Sequence, residues 1–176
     1  MTVPPVDPRI LDLARDSGPD APSHPIEFRE DGILVPGWEV QEWITSAEDG
    51  FTVTRISRGR PVVELRTDHP GALDRFLLDL YGGLWRSAHD LPTLLHSSVP
   101  EPSAPFVLDG PAHRLALRWS EDGREFTATR LRRGQAELLA LMLTHSLDDL
   151  LAAYRDPRSG PALHLPRDTG PGPRRR

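Results

Sequence analysis

A β-hairpin followed directly by an amphipathic helix, within residues 49–96, is the feature that most constrains how this chain can fold. Alternating apolar residues predict strands at Phe51–Ser57 and Pro61–Arg66, joined by a tight Arg-Gly-Arg turn. Leucine and phenylalanine then recur at helical spacing, which predicts a helix that begins near Pro70 and that Gly82–Gly83 ends or bends. Since an isolated hairpin is only marginally stable, we expect this helix to pack on the sheet.

The chain before this unit carries signals for a short helix and for further strands. Asp7 followed by Pro8 is a helix start, with an N-cap and a proline at the first helical position. Ile26–Glu30 and Ile33–Val35 flank an Asp-Gly dipeptide, which favours a type I′ hairpin turn. A third strand with one apolar face is predicted between Trp38 and Ile44.

The second half of the chain again has strands before helices. Alternation predicts a β region that begins near Phe106 and continues through Leu115–Trp119 and Arg124–Leu131. A leucine-rich stripe predicts either one long helix from about Gln135 to Tyr154 or, with Ser146 as a candidate N-cap, two helices joined at a kink. Strands grouped apart from helices predict an α+β fold: an antiparallel β meander with two main amphipathic helices packed on one face.

Composition divides the chain into three parts. We expect an N-terminal segment with a short helix over residues 1–25, one α+β domain over residues 26–155, and a disordered Pro/Arg-rich tail over residues 156–176. The tail has too few apolar residues to offset the entropy lost on ordering. Within the domain, Leu77 and Leu143 are expected core residues of the two helices.

Cysteine and lysine are both absent, and all 21 basic residues are arginine. The sequence therefore excludes disulfides, thiolate metal sites, a cysteine nucleophile, Schiff-base lysines and the lysine of a phosphate-binding loop. No apolar run is long enough for a transmembrane helix, and no secretory signal is visible. We expect a cytoplasmic protein that does not enter a membrane.

Charge is distributed unevenly along the chain. Residues 155–176 carry six arginines against Asp156 and Asp168, a net charge of +4, so the whole-chain charge of −5 leaves about −9 on residues 1–154. Nucleic-acid binding depends on neutralising phosphates, and an acidic body does this poorly. The charge instead suits a basic protein partner.

The residue types that commonly carry catalysis do not form a recognisable arrangement. No two of the seven histidines are at i and i+4 on one predicted helix, which argues against a metal site. Ser87, His89 and Asp90 are too close in sequence to converge as a triad, and no Gly-x-Ser-x-Gly elbow is present. Asp148–Asp149 are typical first-turn helix carboxylates. We therefore expect no enzyme activity, no catalytic residues, no metal and no cofactor.

The four tryptophans fall into two groups. Trp38 and Trp119 are in phase with other apolar residues, which predicts core positions. Trp43 points away from the apolar face of its strand, and Trp85 follows the glycine pair beside Arg86. An exposed tryptophan next to an arginine is typical of an interface anchor. The alternative is that these two tryptophans cover a sheet edge or cap the helix.

Several short motifs occur here in a distinctive order. An aromatic-x-Val-x-Arg strand precedes an Arg-Gly turn, a helix that ends in aromatic-Gly, an Arg-Ser…Leu-Pro segment and a closing Ser-Leu-Asp-Asp-Leu-Leu-Ala-Ala-Tyr. Within residues 38–96 and 135–154, the motif positions are Phe51, Val53, Arg55, Arg58, Gly59, Tyr81, Gly82, Arg86, Ser87, Leu91 and Pro92. This pattern resembles the immunity-protein family that includes the antitoxin of tuberculosis necrotizing toxin.

The resemblance implies a cytoplasmic, non-catalytic α+β protein that binds and inhibits a co-encoded toxin, in the best-known case one that hydrolyses NAD. A basic toxin would then contact Trp43 and the loop Glu48–Asp49 on one side and Trp85–Arg86 on the other. The alternative is a non-catalytic scaffold or secretion-chaperone-like domain. A toxin gene immediately upstream would distinguish the two.

Overall fold

The computed structural model describes residues 3–17, 25–37, 39–92, 102–111 and 114–158. Trp38, residues 93–96 and residues 159–176 of the predicted tail therefore lie outside the described part. The described helices are α1 Pro8–Arg15, α2 Pro70–Ala88, α3 Arg133–Leu143 and α4 Leu147–Arg155. The described strands are β1 Glu27–Arg29, β2 Gly32–Pro36, β3 Val40–Ala47, β4 Gly50–Ser57, β5 Arg60–Thr67, β6 Val107–Asp109, β7 Leu115–Glu121 and β8 Arg124–Leu131.

All of these strands form one antiparallel sheet, in the order β1-β2-β3-β4-β5-β8-β7-β6. The strands from β1 to β5 pair consecutively as hairpins. The second group, β6 to β8, joins the first only where β8 pairs with β5. The predicted α+β fold with an antiparallel sheet is confirmed.

Turn chemistry sets the register of the first hairpins. Arg58 and Gly59 have φ values of 49° and 73°, the paired left-handed conformation of a type I′ turn, which matches the predicted tight turn. The predicted position of the turn before β2, at Asp31–Gly32, is wrong by one residue. Glu30–Asp31 form the turn, and Gly32 is the first residue of the strand. A Cβ on Gly32 would lie 2.3 Å from the carbonyl oxygen of Ile44, so the glycine is needed for close strand approach.

The helices cover one face of the sheet and enclose the core. Helix α2 contacts β5, helix α3 contacts β7, and α1, α3 and α4 all pack against α2. Strand residues facing the helices are buried, among them Ile33, Ile44, Val53, Leu65 and Leu117, and they meet helix residues such as Ile10, Leu73, Leu77, Leu139 and Leu150. The hydrophobic core is therefore a single layer between the helices and this face of the sheet.

Helix α2 does not end at Gly82–Gly83, as the glycine pair suggested, but continues to Ala88. A Cβ on Gly82 would lie 2.4 Å from Cδ1 of Tyr154, so this glycine makes room for the aromatic ring of α4. Tyr154 is buried, and its hydroxyl donates to the carboxylate of Asp79 at 3.0 Å. The glycine here serves helix packing rather than helix termination.

Of the two alternatives for the last helix, the structure has the division at Ser146, with α3 and α4 as separate helices. The Ser146 hydroxyl accepts a hydrogen bond from the Asp149 amide at 3.1 Å and caps α4. Leu77 is fully buried as expected, whereas Leu143 is only partly buried and its neighbour Met142 takes the core position. On α3 the buried side carries Leu139 and Met142, so Leu143 lies at the edge of the buried face.

Candidate functional site

Three of the predicted partner-binding residues lie on β3 and its turn. Trp43 projects from the sheet face opposite the helices, because the neighbouring Ile44 is fully buried beneath them. The Trp43 ring is half-buried, and the guanidinium carbon of Arg29 lies 5.3 Å from the ring centroid, within cation–π range. Glu48 and Asp49 are exposed in the β3–β4 turn.

Trp85 lies far from that turn. Gly50, directly after the turn, approaches the chain just before α2, since a Cβ on it would lie 2.7 Å from Cα of Asp68. Helix α2 spans 19 residues and carries Trp85 in its last turn. At 1.5 Å per residue, the two ends of such a helix are about 25 Å apart. The predicted residues therefore do not form one continuous contact surface.

Trp85 remains accessible at its own end of the molecule. It is half-buried, and its ring stacks on the exposed His89 ring with centroids 4.1 Å apart. The His89 Nδ1 atom also lies 2.8 Å from the Trp85 carbonyl oxygen. This pair presents an aromatic surface at the C-terminal end of α2.

Arg86 lies in the interior, with only 1% of its surface exposed. Its Nε donates to the Pro92 carbonyl at 2.8 Å, and its Nη1 donates to the carbonyls of Tyr154 at 2.7 Å and Asp156 at 3.0 Å. The expected exposed anchor is therefore corrected: Arg86 holds the ends of α2 and α4 together. Arg86 follows Gly82 by one helical turn, so its side chain also faces α4. Which side of α2 faces α4 depends on long-range packing.

His69 illustrates how a suggestive histidine serves the fold. Its Nδ1 accepts from the Ala72 amide at 3.0 Å and caps α2, while its Nε2 lies 3.1 Å from the Glu121 carboxylate. Burial lowers the pKa of His69, with Glu121 acting in the opposite direction. A neutral ring that carries its proton on Nε2 satisfies both contacts. Among the described residues, no group of three His, Cys, Asp or Glu side chains could hold a metal ion.

A cleft opens where β5 and β8 diverge. These strands pair only through Arg66 with Thr129 and Thr67 with Ala128. Beyond this point Arg130 has a φ of 75°, a left-handed conformation that is strained for a side-chain-bearing residue. The β7–β8 register also shifts next to it, as at a β-bulge. The bulge ends the pairing with β5 and leaves a gap between the two strands.

The cleft has a volume of about 490 Å³, within the range of roughly 300–1,000 Å³ that is typical of ligand sites. Arg55 and residues 61–64 line the β5 side, and Gln135 at the start of α3 closes one end. The other side carries arginines from β8 and from the residues next to β7 and α3. The described lining residues are Arg55, Pro61, Val62, Val63, Glu64, Arg114, Arg130, Arg132 and Gln135.

The described lining of the cleft thus holds four arginines and one carboxylate. Glu64 lies 3.7 Å from Nη1 of Arg55 and partly offsets its charge. Arg114, Arg130 and Arg132 have no carboxylate within ion-pair distance in the part of the chain that the structure describes. In an otherwise acidic body, this is a local concentration of positive charge.

Glu42 lies beside the cleft on the helix-facing side of the sheet. Burial raises the pKa of Glu42 to about 7, while Arg55 lowers it and Glu64 raises it further. The side chain is close enough to Tyr81 that its charge also raises the pKa of that phenol, after burial as the main cause. The Tyr81 hydroxyl is buried and has no hydrogen-bond partner among the described residues.

The arrangement favours binding of negatively charged groups. Planar guanidinium groups form paired hydrogen bonds with carboxylates and phosphates. The described lining contains no serine, threonine, histidine, cysteine or tyrosine that could act as a nucleophile or as a general base with an imidazole ring.

Sequence reasoning missed this cleft. The run Thr-Arg-Leu-Arg-Arg at residues 129–133 was the available signal, since it concentrates three arginines at one strand end. Its partner Arg55 is more than 70 residues away in sequence and comes near only because β8 joins the sheet beside β5. No sequence pattern within β5 or within β8 indicates that these two strands pair.

Comparisons with known proteins agree with the observed fold. A family model described as Immunity protein 61 matches residues 26–162. Among solved structures, the chain is similar to Rv3902c from M. tuberculosis, with a TM-score of 0.68 and 18% identity over 91% of this chain and 94% of that chain. A likeness at this identity shows a shared fold. No curated protein matches the chain, and no described helix is long and apolar enough to cross a membrane.

Proposed function

Because the chain belongs to the Immunity protein 61 family, we propose that it binds and inhibits a cognate toxin. The observation that carries this proposal is the extent of the family match, residues 26–162, which includes every strand of the sheet and helices α2, α3 and α4. The resemblance to an immunity-protein family that the sequence motifs indicated is confirmed by this match.

The proposal is one of inhibition by binding rather than by catalysis. Among the described residues, His69 is engaged in capping a helix, and the cleft between β5 and β8 is lined mainly by arginines. An inhibitor needs a rigid surface with complementary charge and a few anchoring side chains. The sheet face around Trp43 and the exposed Trp85–His89 pair supply aromatic candidates for such anchors.

We further propose that the toxin is a basic protein that hydrolyses NAD and that inhibition takes place in the cytoplasm. The NAD-hydrolysing activity rests on the motif resemblance. The basic character rests on the charge of about −9 on residues 1–154, which favours association with a positively charged surface. Glu48 and Asp49, exposed in one turn, belong to that acidic surface.

The test is complex formation with the protein encoded immediately upstream. The full chain and this candidate toxin are purified separately, mixed, and measured by calorimetry and by the toxin's rate of NAD hydrolysis. We expect a stoichiometric complex and loss of hydrolysis at equimolar ratio.

The charge-reversal variant Asp49→Arg provides the control for steering. It should slow association and weaken its salt dependence, with a smaller effect on dissociation. A mixture that shows neither binding nor inhibition would contradict the toxin-inhibitor function and favour a scaffold or chaperone role. Inhibition of a toxin with another activity would contradict only the NAD assignment.

A further inference from the structure

We propose that the arginine cleft between β5 and β8 receives an extended, carboxylate-bearing segment of the toxin. This inference rests on the proposed function and adds to it the chemistry of one contact. It is carried by two independent features of the cleft: its charge, and the strand edges that border it.

The first feature is a set of three arginines, Arg114, Arg130 and Arg132, that have no carboxylate within ion-pair distance among the described residues. Elsewhere on the surface, arginines such as Arg15, Arg29 and Arg118 pair with nearby carboxylates at 2.5–3.2 Å. The cleft instead gathers Arg130 and Arg132 with two further arginines around one glutamate. Like charges held close together repel one another, so acidic groups entering the cleft would relieve that repulsion and gain charge-assisted hydrogen bonds.

The second feature is a pair of strand edges that face the cleft. Strand β5 pairs with β4 from Arg60 to Thr67 with a register shift at Glu64, but its other edge pairs with β8 only at Arg66 and Thr67. Within the described residues, residues 62–64 of β5 and residues 130–131 of β8 have no strand partner on the cleft side. Free main-chain groups on a strand edge are a template for an added extended peptide.

The lining also favours a peptide over a nucleotide. No aromatic side chain borders the cleft in the described structure, so a base would find no surface on which to stack. An extended acidic peptide would use both features, with its carboxylates on the guanidinium groups and its main chain along the strand edges. The strained backbone at Arg130 separates the two strand edges and directs the Arg130 side chain toward the gap between them.

A basic cleft on an acidic body also fixes orientation. The net negative surface attracts a basic toxin from any direction, whereas one positive cleft accepts only an acidic segment. Contacts of opposite sign on one interface disfavour misaligned complexes. We infer that the cleft sets the docking register of the complex.

The experiment measures toxin binding to cleft variants of the full chain. Arg130→Gln combined with Arg132→Gln should weaken the complex at least about tenfold, mainly through faster dissociation. The matched control is Arg66→Gln combined with Arg155→Gln, which removes the same charge from two exposed positions outside the cleft and should change affinity by less than about threefold. Because Arg130 shapes the bulge, Arg114→Gln with Arg132→Gln serves as a second cleft variant that leaves the bulge unchanged.

Two further readouts identify the occupant. Amide hydrogen exchange at residues 62–64 and 130–132 should slow in the complex, and an acetylated hexaglutamate peptide should compete with the toxin for the wild-type chain. If both cleft variants bind the toxin as tightly as the wild-type chain does, the cleft proposal is overturned and the inhibitor function remains intact. Displacement of the toxin by inorganic pyrophosphate but not by hexaglutamate would also overturn it, in favour of a small-anion site. Absence of any wild-type binding would instead contradict the proposed function itself.

Discussion

Replacing Arg86 by alanine should destabilise the fold strongly, although the sequence alone suggested an exposed residue. Among the described contacts, the guanidinium group donates hydrogen bonds to the carbonyls of Pro92, Tyr154 and Asp156. Hydrogen bonds to a charged donor contribute about 1.5–3 kcal/mol each, and two of these acceptors are only part-buried, so the low end applies. The expected loss is about 4 kcal/mol in the free energy of unfolding.

Urea denaturation followed by circular dichroism measures this loss. For a domain of this size, about 4 kcal/mol corresponds to a fall in melting temperature of roughly 8–16 °C. Arg155→Ala is the matched control, because Arg155 is exposed in the same region of α4 and its loss should cost less than about 0.5 kcal/mol. A loss below about 1 kcal/mol for Arg86→Ala would show that its bonds to the carbonyls of Tyr154 and Asp156 do not hold α2 to α4.

Three further predictions test the packing and the electrostatics. Burial raises the folded-state pKa of Glu42 from 4.5 to about 7, so the stabilising effect of its neutral form is full below pH 4.5 and is lost as pH rises through 7. Glu42→Gln should remove up to about 3 kcal/mol of that loss at pH 8. An unchanged pH dependence of the free energy of unfolding would contradict this prediction. Gly82→Ala should lower the free energy of unfolding by about 1–3 kcal/mol, because the added Cβ would meet the Tyr154 ring. Gly83→Ala, whose added Cβ would have nothing within 4 Å, should raise it by about 0.5–1 kcal/mol. Equal effects of the two changes in thermal unfolding would refute the packing role of Gly82. Leu77→Ala should cost on the order of 2–5 kcal/mol in chemical denaturation, and a loss under about 0.5 kcal/mol would place it outside the core.

Local patterns predicted most of the individual elements. The Arg58–Gly59 turn, the Ser146 cap and the alternation along β7 each depend on residues close in sequence, and each is observed. The same alternation correctly placed Trp119 in the core and Trp43 on the opposite face. Periodicity and capping are properties of a few neighbouring residues, so one sequence suffices to read them.

The candidate site depended on contacts that neighbouring residues do not specify. Arg86 and Trp85 are adjacent, but their side chains point in different directions on a helix, and only packing against α4 decides which one is buried. Likewise, Arg55 and Arg130 share a cleft only because two separate β units join edge to edge through a pair of short contacts. Such long-range pairing carries little signal in any one segment, which is why the arginine cleft was not predicted.

Co-expression with the toxin encoded upstream tests the inhibitor function most directly. Cells that express the toxin alone should stop growing, and cells that also express this full chain should grow normally. The unstable Arg86→Ala variant should protect less well in proportion to its loss of folded protein. If cells survive equally well with and without this protein, its function as an immunity protein is contradicted.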